Sequence, residues 1–402
     1  MSSDPTQEET ERGLTSTAKS TSRSHAHLNF LDGLRGAAAL YVVCHHIAKH
    51  LPLVTAPLPI RILALLLSFG HYAVSVFIVL SGFCLMLPVV RGDGTLRGGV
   101  GRFFQRRAKR ILPPYYLATA LSLLLIATLI GAKTGTWWDG SVDVSGRSLL
   151  THALLLQDYF DSTSINHVFW SVATEWHIYF LFPLLLLLFR RLGSGRATLL
   201  GVGAAYVASV WTIRHHDNWH IEMLGQFILG MFGASFAFSK DPRWIALRDR
   251  VSWGGVAILA VLLTGVIGAK GQAIYGITIY LEPLVGIGTV ALILHALRPG
   301  PNLIRSALDW KPATALGGFS YSLYLIHAPL IQVIWQYGIA PMHRNNAQSF
   351  LLLLALGAPL ITAAAWLFSL VGERPFLNRP TQKPVEALDE NRVRPSGHPN
   401  LP

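Results

Sequence analysis

Residues 62–90 read ILALLLSFGHYAVSVFIVLSGFCLMLPVV. The run contains no Asp, Glu, Lys or Arg and outlasts the ~20 apolar residues that a helix needs to cross a bilayer. It is therefore expected to sit in a membrane. Nine further segments of about that length are mostly apolar, at roughly 30–50, 112–132, 166–189, 197–213, 219–239, 252–268, 276–297, 316–336 and 348–371. The expected fold is all-α, a polytopic membrane helical bundle of about ten transmembrane helices. On this reading residues 28–378 form one membrane domain. Residues 1–27 and 379–402, polar and rich in Ser, Thr or Pro, are expected to be disordered tails. The first tail has no apolar core, so no cleavable signal peptide is read there.

Composition agrees. Of the 402 residues, 51% are hydrophobic and only 13% charged, about half the charge of a soluble domain. A net charge of +12 raises the question of nucleic acid, but the basic residues fall in the loops between apolar runs, which is a topology signal. With the N-terminus placed in the cytoplasm, 25 of the 33 Lys and Arg fall in cytoplasmic segments and 7 in outer ones. Both termini are thus expected in the cytoplasm. Cys44 and Cys84, the only cysteines, lie inside apolar runs, so a disulfide framework is not expected.

Ionisable residues inside such runs are expensive and usually face a bundle interior or a wet cavity. Arg35 and His46, eleven residues apart, share a helix face, roughly 16 Å apart along the axis, while His45 points about 100° away from His46. A cation near one end suits an anionic donor, and a neutral imidazole near the other suits proton abstraction from a hydroxyl. The bland alternative is that Arg35 snorkels to lipid phosphate and the histidines sit at the interface. The basic stretch Arg102 to Arg110 is either a positive-inside flank facing anionic lipid or a site for nucleotide phosphates, which arginine forks fit. Ser171, Glu175 and Tyr179 form a polar stripe on one helix, and Glu175 is expected to pair with an Arg or His of another helix, structurally or functionally. Ser320, Tyr324 and His327 share a face later in the chain, where they could also serve only as interhelix glue. The cluster Arg214 to His220 could in principle bind zinc, although short histidine clusters at an interface are more often simply wet, and no metal is expected.

Taken in order, these segments resemble acyltransferase family 3, membrane acyltransferases of sugars, polysaccharides and macrolides. Leu31-Asp32-Gly33-Leu34-Arg35-Gly36 with His46 resembles the family's opening Arg-x10-His pattern, and Phe77 to Phe83, with Ser81, its FFVLSGF segment. Arg107 and Arg110 resemble Arg-x-x-Arg, Trp170-Ser171 with Glu175 resembles WS-x-x-x-E, and Ser320 to Tyr324 with His327 resembles SYSLYL-x-H. Glu373-Arg374-Pro375 matches a closing ERP. Ile78 in place of Phe is a mild departure, and His45 beside His46 leaves its neighbour in play.

The resemblance implies an acyl-CoA donor, acetyl-CoA being the expected one, bound from the cytoplasm, and a carbohydrate or glycosylated acceptor on the outer side. His46 would be the general base, with Arg35 and Glu175 also catalytic. Arg35, Arg107, Arg110 and Ser81 would hold the donor. Trp170, Ser171, Tyr324 and His327 would contact the acceptor. The setting would be a bacterial inner membrane, with membrane lipid around the bundle and no nucleic acid. Some relatives fuse an extracytoplasmic hydrolase-like domain; none is expected here, so a second transfer step would need another protein. The alternative is a transporter or flippase of a lipid-linked saccharide, for which matching repeat halves would be expected and are not seen. A non-catalytic scaffold leaves Arg35 and Glu175 unexplained.

Overall fold

The computed structural model describes residues 28–131, 133–160, 164–212, 219–271 and 277–377. The expected disordered tails and most of the Arg214–His220 cluster lie outside them. Helices, with no strand, make up the secondary structure of the described residues. Helix α1 (Asn29–His50) is followed by α2 (Leu58–Ser68), which passes through a 3-10 turn at Phe69–Tyr72 into α3 (Ala73–Val90). Helix α4 (Gly99–Leu125) continues as a π turn to Ile130. A connecting stretch holding α5 (Gly146–Ala153) leads to α6 (Trp170–Leu192). Then come α7 (Ser194–Thr212), α8 (Glu222–Ala237), α9 (Pro242–Arg250), α10 (Trp253–Gly271) and α11 (Ile277–Ala296). Short α12 (Leu303–Leu308) and α13 (Lys311–Gly317) precede α14 (Ser320–Ile334), and α15 (Asn346–Leu352) joins α16 (Ala358–Gly372) through a π turn.

Among the described residues, four continuous helical stretches are long and apolar enough to cross a membrane: Leu58–Val90, Gly99–Ile130, His167–Leu192 and Asn346–Gly372. The pair Pro242–Arg250 and Trp253–Ala269, bent by 64°, brings the number to five if it counts as one span. That is fewer than the ten expected, and the reasons are local. Helix α1 has 22 residues but carries Asp32, Arg35 and Lys49. Helix α8 has 16 residues, too short alone for ~30 Å of hydrocarbon at 1.5 Å per residue, and α14, which continues through a π turn to Ile339, carries His327 and Gln332. Long apolar side chains still face outward on several helices: Leu184, Leu199, Val207, Val261, Leu367 and Val371 are all exposed. So much outward apolar surface on long apolar helices marks an integral membrane protein.

Two close crossings position the interior. A Cβ on Gly82 would collide with the Phe227 carbonyl, and one on Gly230 with that of Val79, so α3 and α8 touch backbone to backbone. Gly33 faces the Leu308 carbonyl in the same way and Gly317 faces that of Asp32, so α1 lies against the short α12–α13 pair. The glycines around Arg35 and beside Ser81 thus serve packing that brings both side chains inward. Glu373 of the ERP segment accepts from the Ser322 backbone N–H (3.0 Å) and hydroxyl (2.6 Å), tying the chain after α16 to the first turn of α14.

The stretch between α4 and α6 closes one end of the bundle. Thr136 bonds to Gln332 at 2.9 Å, and the Tyr115 hydroxyl donates to the His152 carbonyl at 3.0 Å. The Asn166 side chain donates to the Leu325 carbonyl at 3.0 Å and caps the turn that starts α6. Buried Trp138 places its ring 5.1 Å from that of His167.

Candidate active site

A cavity of about 440 Å³ lies between α1, α3, α4, α6 and α14. Arg91, Arg107 and Arg110 line it with Tyr179, over whose ring Arg107 lies, and Ser171 lines it with Tyr324 two turns of α6 away; Arg35, Asp32, Ser81 and Glu175 are also in the lining. Seven of the ten expected site residues therefore meet around one space: Arg35, Ser81, Arg107, Arg110, Ser171, Glu175 and Tyr324.

Their pairing differs from expectation at Glu175. Arg35 is not a lone cation, since Nη1 lies 3.0 Å from Asp32 Oδ1. That partner, three residues away on the same helix face, was legible from spacing. Among the described residues Glu175 is not directly paired with Arg or His; Oε1 accepts from the Ser81 and Tyr179 hydroxyls, each at 2.5 Å. The nearest cation acts through the ring, with Arg107 Cζ 5.9 Å from the Tyr179 centroid. Two neutral donors satisfy the carboxylate without a second buried charge. Arg107 and Arg110 form no ion pair among the described residues, and the Arg107 Nε–H is buried without a protein acceptor.

His46 and His327 do not line this cavity. They meet each other beyond its Ser171–Tyr324 end, with His327 Nε2 3.1 Å from His46 Nδ1. Tyr324 links the two regions: its hydroxyl is 2.6 Å from Ser171 Oγ and 3.0 Å from the Val168 carbonyl, and its ring lies 5.7 Å from that of His327. His167 completes the group, 5.6 Å from His46 between ring centroids. Sequence reading missed His167, because a turn capped by Asn166 and held to α14 places it, and neither leaves a periodic signal. His45 stays outside the His46–His327 hydrogen bond: its ring lies edge-on to that of His46 at 5.0 Å, with His71 at 5.6 Å on another side, and its Cβ packs against Gly70. Trp170 also lies off the cavity, its ring stacked 4.0 Å from that of His220. His220 bonds to Glu222 at 3.2 Å, and no grouping of metal-ligand geometry occurs among the described residues. Cys44 and Cys84 are both free thiols.

The cavity and the histidines are thus built from the segments that resembled one family, and the profile of that family's acyltransferase domain matches residues 28–370. The chain belongs to acyltransferase family 3. Similar proteins include the O-acetyltransferase OatA of Staphylococcus aureus, 26% identical over 347 residues that cover 78% of this chain and 52% of that protein. Acyltransferase MdmB of Streptomyces mycarofaciens is 26% identical over 331 residues, 75% of this chain and 78% of its own. The putative peptidoglycan O-acetyltransferase YrhL of Bacillus subtilis is 24% identical over 330 residues, 76% of this chain and 49% of its own. This family 3 chain therefore spans about half the length of the first and third of these relatives. No solved structure matches it.

Proposed function

We propose that this family 3 protein is a membrane-embedded O-acyltransferase that moves an acyl group, acetyl in the simplest case, from cytoplasmic acyl-CoA to a hydroxyl of a carbohydrate or glycosylated acceptor. One observation carries the reading: an arginine-lined cavity runs inward to Tyr324, and a pair of hydrogen-bonded histidines stands just past it. The named relatives, O-acetyltransferases and an acyltransferase, support the reaction class.

The basic end suits a donor carrying phosphates. Arg107 and Arg110 would receive it at the cytoplasmic face, and the unpaired Arg107 N–H would gain the acceptor that burial denies it. A cavity of about 440 Å³ is within the range of ligand pockets and would admit the pantetheine arm while the nucleotide stays at the mouth. Arg35 with Asp32, and Ser81 with Glu175, would hold the arm from two sides. Trp170, Ser171 and Tyr324 would shape the acceptor side.

His46 would take the proton of the acceptor hydroxyl as its oxygen attacks the thioester carbonyl. The tetrahedral intermediate then collapses, the C–S bond breaks, and the leaving thiolate receives that proton. The products are an ester and CoA thiol, with no net proton released. Both termini would lie in the cytoplasm and the bundle in a bacterial inner membrane. Mass spectrometry of cell-surface glycans and secreted glycosides, comparing a deletion strain with its parent, tests this. Acyl esters present in the parent and absent from the deletion strain are expected; identical acylation in both would overturn the reading.

A further inference from the structure

We propose that His327 is a positioning residue for His46: it fixes the tautomer and ring of its neighbour so that Nε2 is the nitrogen that accepts the acceptor's proton. The inference rests on His46 being the base and adds what makes it one.

The hydrogen bonds decide the protons. His327 Nδ1 lies 2.7 Å from the Tyr324 carbonyl, which can only accept, so His327 Nδ1 carries a hydrogen. A neutral imidazole has one N–H, so His327 Nε2 carries a lone pair. His46 Nδ1 lies 3.1 Å from that lone pair and 3.0 Å from the Val42 carbonyl. Both are acceptors, so His46 Nδ1 carries its hydrogen and Nε2 is left basic. Reversing His46 would press acceptor against acceptor at both of its contacts, and reversing His327 would do so at the Tyr324 carbonyl and set N–H against N–H at His46. His327 is fully buried, so water cannot rescue the reversed arrangement. The ring of His46 is further held by His167 at 5.6 Å and His327 at 4.8 Å between centroids.

This is the logic of a base oriented by a third group, with an imidazole in place of the usual carboxylate. In a membrane bundle the exchange has a physical reason, since a neutral acceptor avoids burying a fixed charge. When His46 gains its second proton, its Nδ1–H donates more strongly to His327 Nε2. The acceptor's proton travels from the hydroxyl to His46 Nε2 and on to the thiolate, and His327 keeps its own throughout.

The test uses His327→Phe, which keeps the ring shape and loses both nitrogens, and His327→Gln, whose side-chain carbonyl can still accept from His46 Nδ1. Each full-length variant, matched for membrane level, is assayed in native membranes supplied with radiolabelled acetyl-CoA, counting label in the endogenous acceptor. The Phe variant is expected to lose roughly 10²-fold in kcat with the KM for acetyl-CoA unchanged, and the Gln variant to stay within about tenfold of wild type. A Phe variant at the wild-type rate makes His327 mere packing and overturns the proposal. A Gln variant as slow as Phe overturns it too, since His327 would then act directly on a proton or substrate. His46→Ala, run alongside, separates the two levels. If it is fast, the reading of His46 fails; if it is slow beside a fast His327→Phe, only the present proposal fails.

Discussion

Asp158 shows how far one side chain can be pushed by its surroundings. It sits in the stretch that closes the histidine end, outside the spans, buried, with Thr174 its hydrogen-bond donor at 3.2 Å. Burial pushes its carboxyl up to about 8, and the Thr174 bond offsets this only in part. A folded-state value above the unfolded one means stability that is complete below the unfolded value, near 3.8, and lost as pH rises through about 8. Asp158→Asn removes that loss. Its gain in Tm over wild type is therefore expected to grow between about pH 5 and pH 8 and then level off; a pH-independent difference would contradict it. Residue-scale reading of the sequence did best where helix phase decides neighbours. Ser171, Glu175 and Tyr179 do form a stripe, and His45 and His46 do meet different partners. It did worst on partner identity, as with Glu175, because which hydroxyl or cation arrives from another helix depends on tertiary packing that spacing does not encode.

Helix α4 carries the case for the donor. Arg107 and Arg110 are three residues apart and share the face that looks into the cavity, whereas Arg106 turns away to the Arg97 carbonyl at 3.2 Å. The same helix supplies the anchor for the closing stretch through Tyr115. Arg107→Ala or Arg110→Ala is expected to raise the KM for acyl-CoA with little change in kcat. Loss of one phosphate contact costs on the order of 1–3 kcal/mol, about 5- to 150-fold in KM. Steady-state kinetics in native membranes decide this, and an unchanged KM in both variants would reduce these arginines to topology signals. Elsewhere the ten expected spans are not confirmed by helix length and composition. Helices α8 and α14 are short, and α14 extends only through a π turn over Trp335–Ile339, a break that hydropathy does not register.

The molecule as a whole has a polarity of its own. Arginines gather around one end of the cavity, histidines stand beyond the other, and Tyr324 lies between. In the proposed orientation, which the 25-to-7 bias of Lys and Arg along the chain motivates, the arginine end would face the cytoplasm. A reporter fused after residue 378 is accordingly expected to be cytoplasmic; an extracytoplasmic reporter would reverse the direction of donor entry. The class of fold was legible because apolar runs are long and charges sparse, while the number of crossings was not, because polar interiors and broken helices blur both criteria. The central claim, acyl transfer with His46 as base, is tested most directly by the rate of label transfer from acetyl-CoA to the endogenous acceptor in native membranes. Wild type, His45→Ala and His46→Ala would be compared at matched membrane levels. His46→Ala is expected to lose about 10²–10⁴-fold while His45→Ala, which packs against Gly70 and His71, keeps most of the rate. Equal rates in the two variants, or a dead His45 variant beside a live His46 variant, would contradict the account.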